Sequence, residues 1–366
     1  MPVPRTVPIP AKYSLAAGLL LGLLLVSGCM AKTSPPLAAG AKTGATKPAA
    51  AAPGPKADYR IVIITNGSSP FWDSMDRGIQ AAGTELGVEV DLIRNDASEG
   101  GQIRRLEQIA ARSEVKGVGV SVIEAQAAGV AEQMQALRKA GVHVITIDSD
   151  GPTECREAFI GTNNLEAGRE LGRLARQLLP GGGKAVCFVG IMGAQNARDR
   201  IAGFEEGAGN KIQRVDTMED GVSESKARNN VTAAMQNHPD LKILAGIWSY
   251  NAPAIADAVE ASGRRNDFKI VAFDAEPNAI TAMEQGLIDV MVVQNPYDMG
   301  YQGVRLLNSL IREDQAGIDD VLHGKTSRET GLKVVVPDES SPLKSPYLMP
   351  LKEFKTWLVS QGLEGS

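Results

Sequence analysis

From residue 59 onward the chain alternates short, continuous apolar runs with stretches whose apolar residues recur every three or four positions. The runs are Ile61-Ile64, Val88-Ile93, Val118-Val122, Val142-Ile147, Ala185-Val189, Ile243-Ile247, Ile270-Phe273 and Val290-Val293. Short unbroken runs of this kind read as strands buried on both faces. Between the first two, Met75, Ile79, Ala82 and Leu86 are spaced by four, three and four, which is one face of a helix. Ile103, Leu106 and Ile109 repeat that pattern, as do Val130, Met134 and Leu137. Leu171-Leu174-Leu178, Ala227-Val231-Ala234 and Val304-Leu307-Ile311 continue it. No hairpin dipeptide joins the runs, so the economical reading is parallel strands linked by helical crossovers, an α/β fold.

Two segments resemble one another. "VITIDSD" (144 to 150) and "IVAFDAE" (270 to 276) each end an apolar strand with an aspartate, Asp148 and Asp274. Ligands of open α/β sheets bind outside the carboxyl ends of the strands, so two similar lobes facing each other across a site are expected. The tail from 339 to 366, with Phe354, Trp357 and Leu358, reads as an extra segment packed on one lobe.

The beginning of the chain bears on compartment. Arg5 and Lys12 precede an apolar run of 12 residues, Leu15 to Val26, and Val26-Ser27-Gly28-Cys29 closes it. The run is too short to span a bilayer and has the three parts of an export signal over residues 1–28. The closing tetrapeptide resembles a bacterial lipobox, which implies lipidation of Cys29; acyl chains add about 0.8 kcal/mol of membrane affinity per buried methylene. Residues 29–57 are rich in Ala, Pro, Gly and Lys without apolar periodicity. They read as a flexible tether reaching roughly 30 Å. After removal of the signal, 36 basic residues stand against 43 acidic, a balance of −7 that offers nucleic acid no general attraction. Cys155 and Cys187 are expected as separate thiols, although a pair is open to an exported protein.

The residues at the strand ends carry the chemistry. They are Ser68-Ser69-Pro70-Phe71-Trp72, Ser121 with Glu124, Asp148-Ser149-Asp150, Trp248-Ser249-Tyr250-Asn251, Asp274 and Gln294-Asn295. Hydroxyls, amides, carboxylates and flat rings dominate. A saccharide needs this mixture, because its hydroxyls both donate and accept while its C–H faces lie well on aromatic rings. Ser69 is expected to cap a helix that begins at Pro70 and so hold Phe71 and Trp72 at a cleft edge, although Phe71 reads equally as core. Arg198, in "GAQNARDRIAGF", sits near a helix start where the dipole disfavours a cation, which points to a ligand or carboxylate partner.

Enzymatic readings find no support in motifs. "PGGGKAV" at 180 to 186 fails the phosphate-loop spacing at both ends, and it precedes a strand instead of following one. His143, His238 and His323 are scattered, no Cys/His cluster or nucleophile elbow occurs, and no catalytic residue, metal or cofactor is expected. A repressor with such a fold would carry an N-terminal helix-turn-helix where this chain has its export signal.

The order "SSPFW", "VITIDSD", "FIGTNNLEAGRELG", "NARDRIAGF", "IWSYNAPAIADAV", "IVAFDAEP" and "MVVQNPYDMGYQGV" resembles the ribose- and galactose-type periplasmic solute-binding proteins, from about residue 59 to 336. The resemblance implies two Rossmann-like lobes joined by three crossovers and closing on a ligand like a clamp. One lobe would hold 58–162 with 295–325, the other 163–294 with 326–338, leaving 339–366 as an extension. The family's contact positions fall on Ser69, Phe71, Trp72, Ser121, Asp148, Arg198, Ser223, Tyr250 or Asn251, Asp274 and Gln294. The chain departs from the ribose receptors at Ser69 and Ser121, where they have asparagine, at Ser149, where they have arginine, and near Ser223, where they have phenylalanine. The implied protein is a monomeric, lipid-anchored extracytoplasmic receptor that captures a sugar or polyol and delivers it to an ABC permease. Pentoses, hexoses, inositols and furanoses all fit these residues. A receptor that presents its ligand to a signalling partner shares the same features.

Overall fold

Each of the eight apolar runs overlaps a strand of the structure, a computed structural model that describes residues 57–366. The strands fall into two sheets. The first is built from β1 (Arg60–Ile64), β2 (Glu89–Ile93), β3 (Val115–Val120), β4 (His143–Ile147) and β5 (Phe159–Gly161). The second takes β6 (Gly183–Val189), β7 (Ile212–Glu219), β8 (Leu241–Gly246), β9 (Lys269–Phe273) and β10 (Val290–Val293). Of the last three, β11 (Ser327–Glu329) joins the first sheet, while β12 (Lys333–Val336) and β13 (Leu348–Pro350) join the second. The orders are β11-β5-β4-β3-β1-β2 and β13-β12-β10-β9-β8-β6-β7. Every pairing is parallel except β10 with β12. This is an architecture of two α/β lobes, each built on a mostly parallel central sheet, as the sequence pattern implied.

The helices are α1 (Phe71–Leu86), α2 (Glu99–Ala110), α3 (Ala128–Lys139), α4 (Asn164–Leu178), α5 (Gln195–Ala208), α6 (Glu224–Asn237), α7 (Asn251–Ser262), α8 (Pro277–Glu284), α9 (Pro296–Ile311), α10 (Gln315–Leu322) and α11 (Leu351–Ser360). Apolar stripes seat them on the sheets: Met75, Ile79 and Ala82 of α1 are fully buried with Ile61 and Ile63 of β1. The chain passes between sheets after β5, after β10 and after β11. At the first two passages Asn163 and Asn295 cap the next helix, accepting from Glu166 N at 3.1 Å and Asp298 N at 3.2 Å, so each crossing is also a helix start. The boundary at 325/326 expected from sequence is corrected here: Ser327–Glu329 pairs with β5 in the first sheet, and the third passage follows Glu329. The signal segment, Cys29 and nearly all of the tether lie outside the described residues. The 339–366 segment adds β13 beside β12 and packs Phe354 and Leu358 of α11 into the core of the second lobe. Cys155 and Cys187 are free thiols, each buried in the core of a different sheet.

Glycines set the distance between α4 and α5. A Cβ at Gly168 would lie 2.3 Å from the Arg200 carbonyl oxygen, and one at Gly203 would lie 2.1 Å from that of Leu165. Gly172 and Gly207 repeat the contact one turn along, against Phe204 O at 2.2 Å and Arg169 O at 2.0 Å. Two backbones therefore touch directly, and neither can retreat like a flexible side chain. Alanine at Gly203 would gain about 1 kcal/mol of helix propensity, but forced overpacking costs about 1–3 kcal/mol or more. The clash should win: Gly203→Ala is expected to lower stability by about 2 kcal/mol in denaturant melts. Gly181→Ala, where nothing lies within 4 Å, should shift it by less than about 0.5 kcal/mol.

Candidate functional site

β4 and β9 end alike. Directly after them, Asp148 has φ +62° and Asp274 has φ +64°, the left-handed region that few residues other than glycine adopt and that aspartate tolerates. Asp148 N–H donates to Ile160 O at 3.0 Å, and Asp274 N–H donates to Val292 O at 2.9 Å, so each turn is pinned to the end of the neighbouring strand. Strained backbone of this kind concentrates at ligand sites. Asp148 Oδ2 accepts from Ser121 Oγ at 2.9 Å and Asn196 Nδ2 at 3.3 Å. Asp274 accepts from Gln294 N–H at 3.1 Å and from its Nε2 at 3.0 and 3.2 Å. Burial raises the pKa of both carboxyls against the pull of Arg200, Asp274 to about 6.

Arg200 is the largest fully buried side chain of the described residues. Its Nε donates to Asn164 Oδ1 at 2.8 Å and its Nη1 to Ile247 O at 3.0 Å, while the guanidinium lies 4.3 Å above the Phe273 ring centroid. Nη2 has no hydrogen-bond partner among the described residues. A buried charged donor left unsatisfied costs more than the about 1–3 kcal/mol of a neutral one, so an acceptor in the adjoining cavity would be held strongly.

That cavity encloses about 360 Å3 of empty space, mouth included. The first lobe lines it with Asn66 to Ser69, Phe71, Trp72 and Asp148, and the second with Asn196, Arg200, Val222, Trp248, Ser249, Tyr250, Asp274 and Gln294. Phe71 and Trp72 meet edge to face, ring centroids 5.1 Å apart. Trp248 Nε1 donates to Asn196 Oδ1 at 3.2 Å. Tyr250 Oη donates to Asp220 Oδ1; burial, and after it the Asp220 carboxylate, push the phenol far above its usual range. At the mouth the hydroxyls of Ser69 and Ser249 lie 3.3 Å apart, one from each lobe, so the lobes stand closed over the cavity. Ser249 Oγ in turn donates to Glu276 Oε1 at 2.5 Å, and burial pushes the Glu276 carboxyl up to about 7. Among the described residues no three His, Cys, Asp or Glu side chains are grouped to hold a metal ion.

Of the residues expected from sequence, the structure brings Ser69, Phe71, Trp72, Asp148, Tyr250, Asp274 and Gln294 to one cavity. Ser121 and Asn251 stand behind it. Ser121 supports Asp148, while Asn251 accepts from Trp248 N–H at 3.0 Å and donates to Asp220 Oδ2 at 2.9 Å. Arg198 is a correction as a ligand contact, since it does not line the cavity: its guanidinium donates to Gly193 O and Gln195 Oε1 on a partly exposed flank, and Nη1 lies 4.0 Å from Glu124 Oε1, the carboxylate partner that the sequence also allowed. Asn196 and Arg200, four apart, share the face of α5 that meets the cavity, and a residue midway between them points elsewhere. Ser223 is a second correction. It caps α6 by accepting from Lys226 N–H, and Val222 lines the cavity in its stead. Ser69 does not cap α1, which has no side-chain cap, since its hydroxyl reaches Ser249 instead. The sequence reading missed Arg200, Asn196 and Val222 as site residues, and the i, i+4 pair inside "NARDR" was the available signal.

The sequence profile of the periplasmic binding protein domain matches residues 60–315. The ribose import binding protein of Bacillus subtilis (strain 168) is 24% identical over 281 residues, covering 76% of this chain and 86% of that protein. The D-allose-binding periplasmic protein of Escherichia coli (strain K12) is 26% identical over 261 residues, covering 69% and 83%. Among solved structures, an ABC transporter solute binding protein from Burkholderia graminis C4D1M in complex with D-arabinose superposes with a TM-score of 0.72 at 26% identity. That match covers 80% of this chain and all of the other.

Two stability measurements check the site. Arg200→Ala removes the counter-charge between two buried carboxylates and should cost about 3–5 kcal/mol in denaturant melts. Arg198→Ala should stay within about 0.5 kcal/mol. Glu276 holds its proton up to about pH 7 when folded, against a usual value of 4.5. Between those values the folded chain binds more protons than the unfolded one. The Glu276 contribution is therefore complete below about pH 4.5 and is lost as pH rises to about 7. Melting temperatures of Glu276→Gln and wild type across this range should diverge in favour of the glutamine as pH increases.

Proposed function

The chain belongs to the periplasmic binding protein domain family, and on that premise we propose that it captures a monosaccharide or similar polyol by closing its two lobes and delivers it to an ABC permease. It is a binding protein and not an enzyme. The observation that carries the ligand class is the unpartnered Nη2 of Arg200 in a cavity that also presents Asp148 and Asp274. A sugar hydroxyl can donate to a carboxylate and accept from a guanidinium at once, which a purely donating or purely accepting ligand cannot. Phe71, Trp72 and Trp248 supply flat apolar surface for C–H faces. The names of the relatives, binders of ribose and D-allose, and the D-arabinose of the Burkholderia graminis structure agree with this class.

The parts have separate roles in this reading. Asp148 accepts from the ligand on the first lobe, and Asp274, oriented by Gln294, accepts on the second. Arg200 donates, the rings cover the apolar face, and closure removes water from charge-assisted bonds. The protein works outside the cytoplasm, where Cys29 carries the lipid and residues 29–57 let the lobes stand clear of the membrane.

A thermal-shift screen against pentoses, hexoses and cyclitols should raise the melting temperature with at least one of them, because a ligand of the folded state stabilises it. With that sugar, calorimetry on Asp274→Ala should show a loss of about 1.5–3 kcal/mol, roughly 10- to 150-fold in Kd. Unchanged affinity in both Asp274→Ala and Arg200→Ala would remove the cavity as the ligand site. Cys29→Ala should move the protein from the membrane fraction to the soluble one.

A further inference from the structure

Beyond α11 the chain does not trail away. Gly362 turns it at φ +69°, Leu363 N–H closes on Leu358 O at 2.9 Å, and the Leu363 side chain is buried in the core of the second lobe. Gly365 then passes so near its neighbours that a Cβ would lie 2.8 Å from Pro277 Cδ and 2.9 Å from Ala275 O. Ser366 is 1% exposed. It exchanges two backbone hydrogen bonds with Ala275, at 2.7 and 3.0 Å, and its Oγ donates to Gln294 O at 2.9 Å.

Both partners bear directly on the cavity. Ala275 follows Asp274, the strained strand-end aspartate, and Gln294 is the residue whose amide holds both Asp274 oxygens. Gln294 Oε1 also accepts from Thr162 Oγ1 at 2.9 Å, which ties two of the passages between the lobes. The segment thus stitches the ends of β9 and β10 together from outside the cavity. Across a gap of about 1110 Å3 of empty space, mouth included, it faces Pro70, Asp73 and Arg77 at the start of α1 on the other lobe. It lies beyond residues 60–315, the part matched by the family profile.

We propose that residues 362–366 are a positioning element of the ligand site, holding the Asp274–Gln294 pair in the geometry that receives ligand. The proposal rests on the reading of this cavity as the ligand site. Without the pairing to Ser366, the Asp274 turn and the Gln294 backbone are free to relax apart, and water reaches the carboxyl from behind.

The test uses three variants of the full chain. Gly365→Val dislodges the segment, Ser366→Ala removes one hydrogen bond without a clash, and Leu351→Ala weakens the same core from outside the segment. The first readout needs no ligand: NMR titration of the Asp274 side-chain carboxyl, raised by burial to about 6 in the intact protein. Gly365→Val should bring that midpoint down toward ordinary carboxylates, and Leu351→Ala should lower the melting temperature without moving it. The second readout is calorimetry with D-ribose, D-allose and D-arabinose. Kd should weaken by at least about 10-fold in Gly365→Val and about 2- to 10-fold in Ser366→Ala. Should Gly365→Val not fold, Ser366→Ala decides by the same two readouts. If the variants melt earlier but keep both the midpoint and the Kd of wild type, the segment is only a brace and the proposal fails. If the intact protein binds none of the three sugars, the ligand class proposed above is wrong for them, and the titration still decides whether the segment positions Asp274.

Discussion

A guanidinium taken wholly out of water governs this structure. Removing such a charge from solvent costs several kcal/mol even after relaxation, and the cost is recovered only by well-placed partners. Arg200 has an amide oxygen, a main-chain carbonyl and the face of Phe273, but no carboxylate pairs with it directly. Asp148 and Asp274 act on it through the low-dielectric space between them, which is the cavity. The second lobe must hold α5 close to α4 for Arg200 to reach Asn164. The four glycines of that contact are therefore part of the site even though none of them lines it.

The same solution occurs in both lobes. In the first, Gly78 of α1 and Gly300 of α9 bring two helix backbones together, with a Cβ at Gly78 falling 2.0 Å from Tyr297 O. Each central sheet then ends in an aspartate at positive φ, anchored to the next strand. Two halves made this rigid leave little freedom except in the passages between them, at 162–163, 294–295 and 330–332. Gln294 belongs to one of those passages and to the cavity at once, so on the proposed reading ligand contact and lobe movement share a residue.

Most of the strands that were legible in sequence are buried by a central position; β2, an edge strand of half-buried residues, is the exception. β5 and β11, three residues each, and β13 are too short to show a period, and β7 (Ile212–Glu219) is a polar edge strand with a partly exposed pattern. The aspartates were readable because the end of an apolar run marks the carboxyl edge of a sheet. The arginine was not, because position on a helix face depends on where the helix starts, and a displacement of two residues turns a side chain to the opposite flank. Ser69 was misassigned for a different reason. A Ser-Pro pair is a capping signal, but the Ser69 hydroxyl found a partner 180 residues away, which no local rule contains.

Several contacts cross between the lobes, among them Asn196 Nδ2 donating to Asp148 Oδ2 at 3.3 Å and Ala125 N–H donating to Gly193 O at 3.1 Å, besides the serine pair at the mouth. The Ser69–Ser249 contact is 3.3 Å long and neutral, and a hydrogen bond of that kind contributes about 0.5–1.5 kcal/mol at most. Shifting a two-state equilibrium from 1:99 to 99:1 takes about 5.5 kcal/mol, so the serines alone cannot decide between open and closed lobes. On the proposed reading the ligand can. A polyol bonded to Asp148 on one lobe and to Asp274 and Arg200 on the other makes three charge-assisted contacts of about 1.5–3 kcal/mol each. Ligand already held on one lobe gains the other lobe's contacts only on closure, about 1.5–3 kcal/mol from Asp148 or about 3–6 kcal/mol from Asp274 with Arg200, and this difference biases the equilibrium toward the closed form, whereas contacts confined to either lobe would bind ligand without closing anything. The division of the charged groups between the lobes, more than their number, is what couples capture to closure.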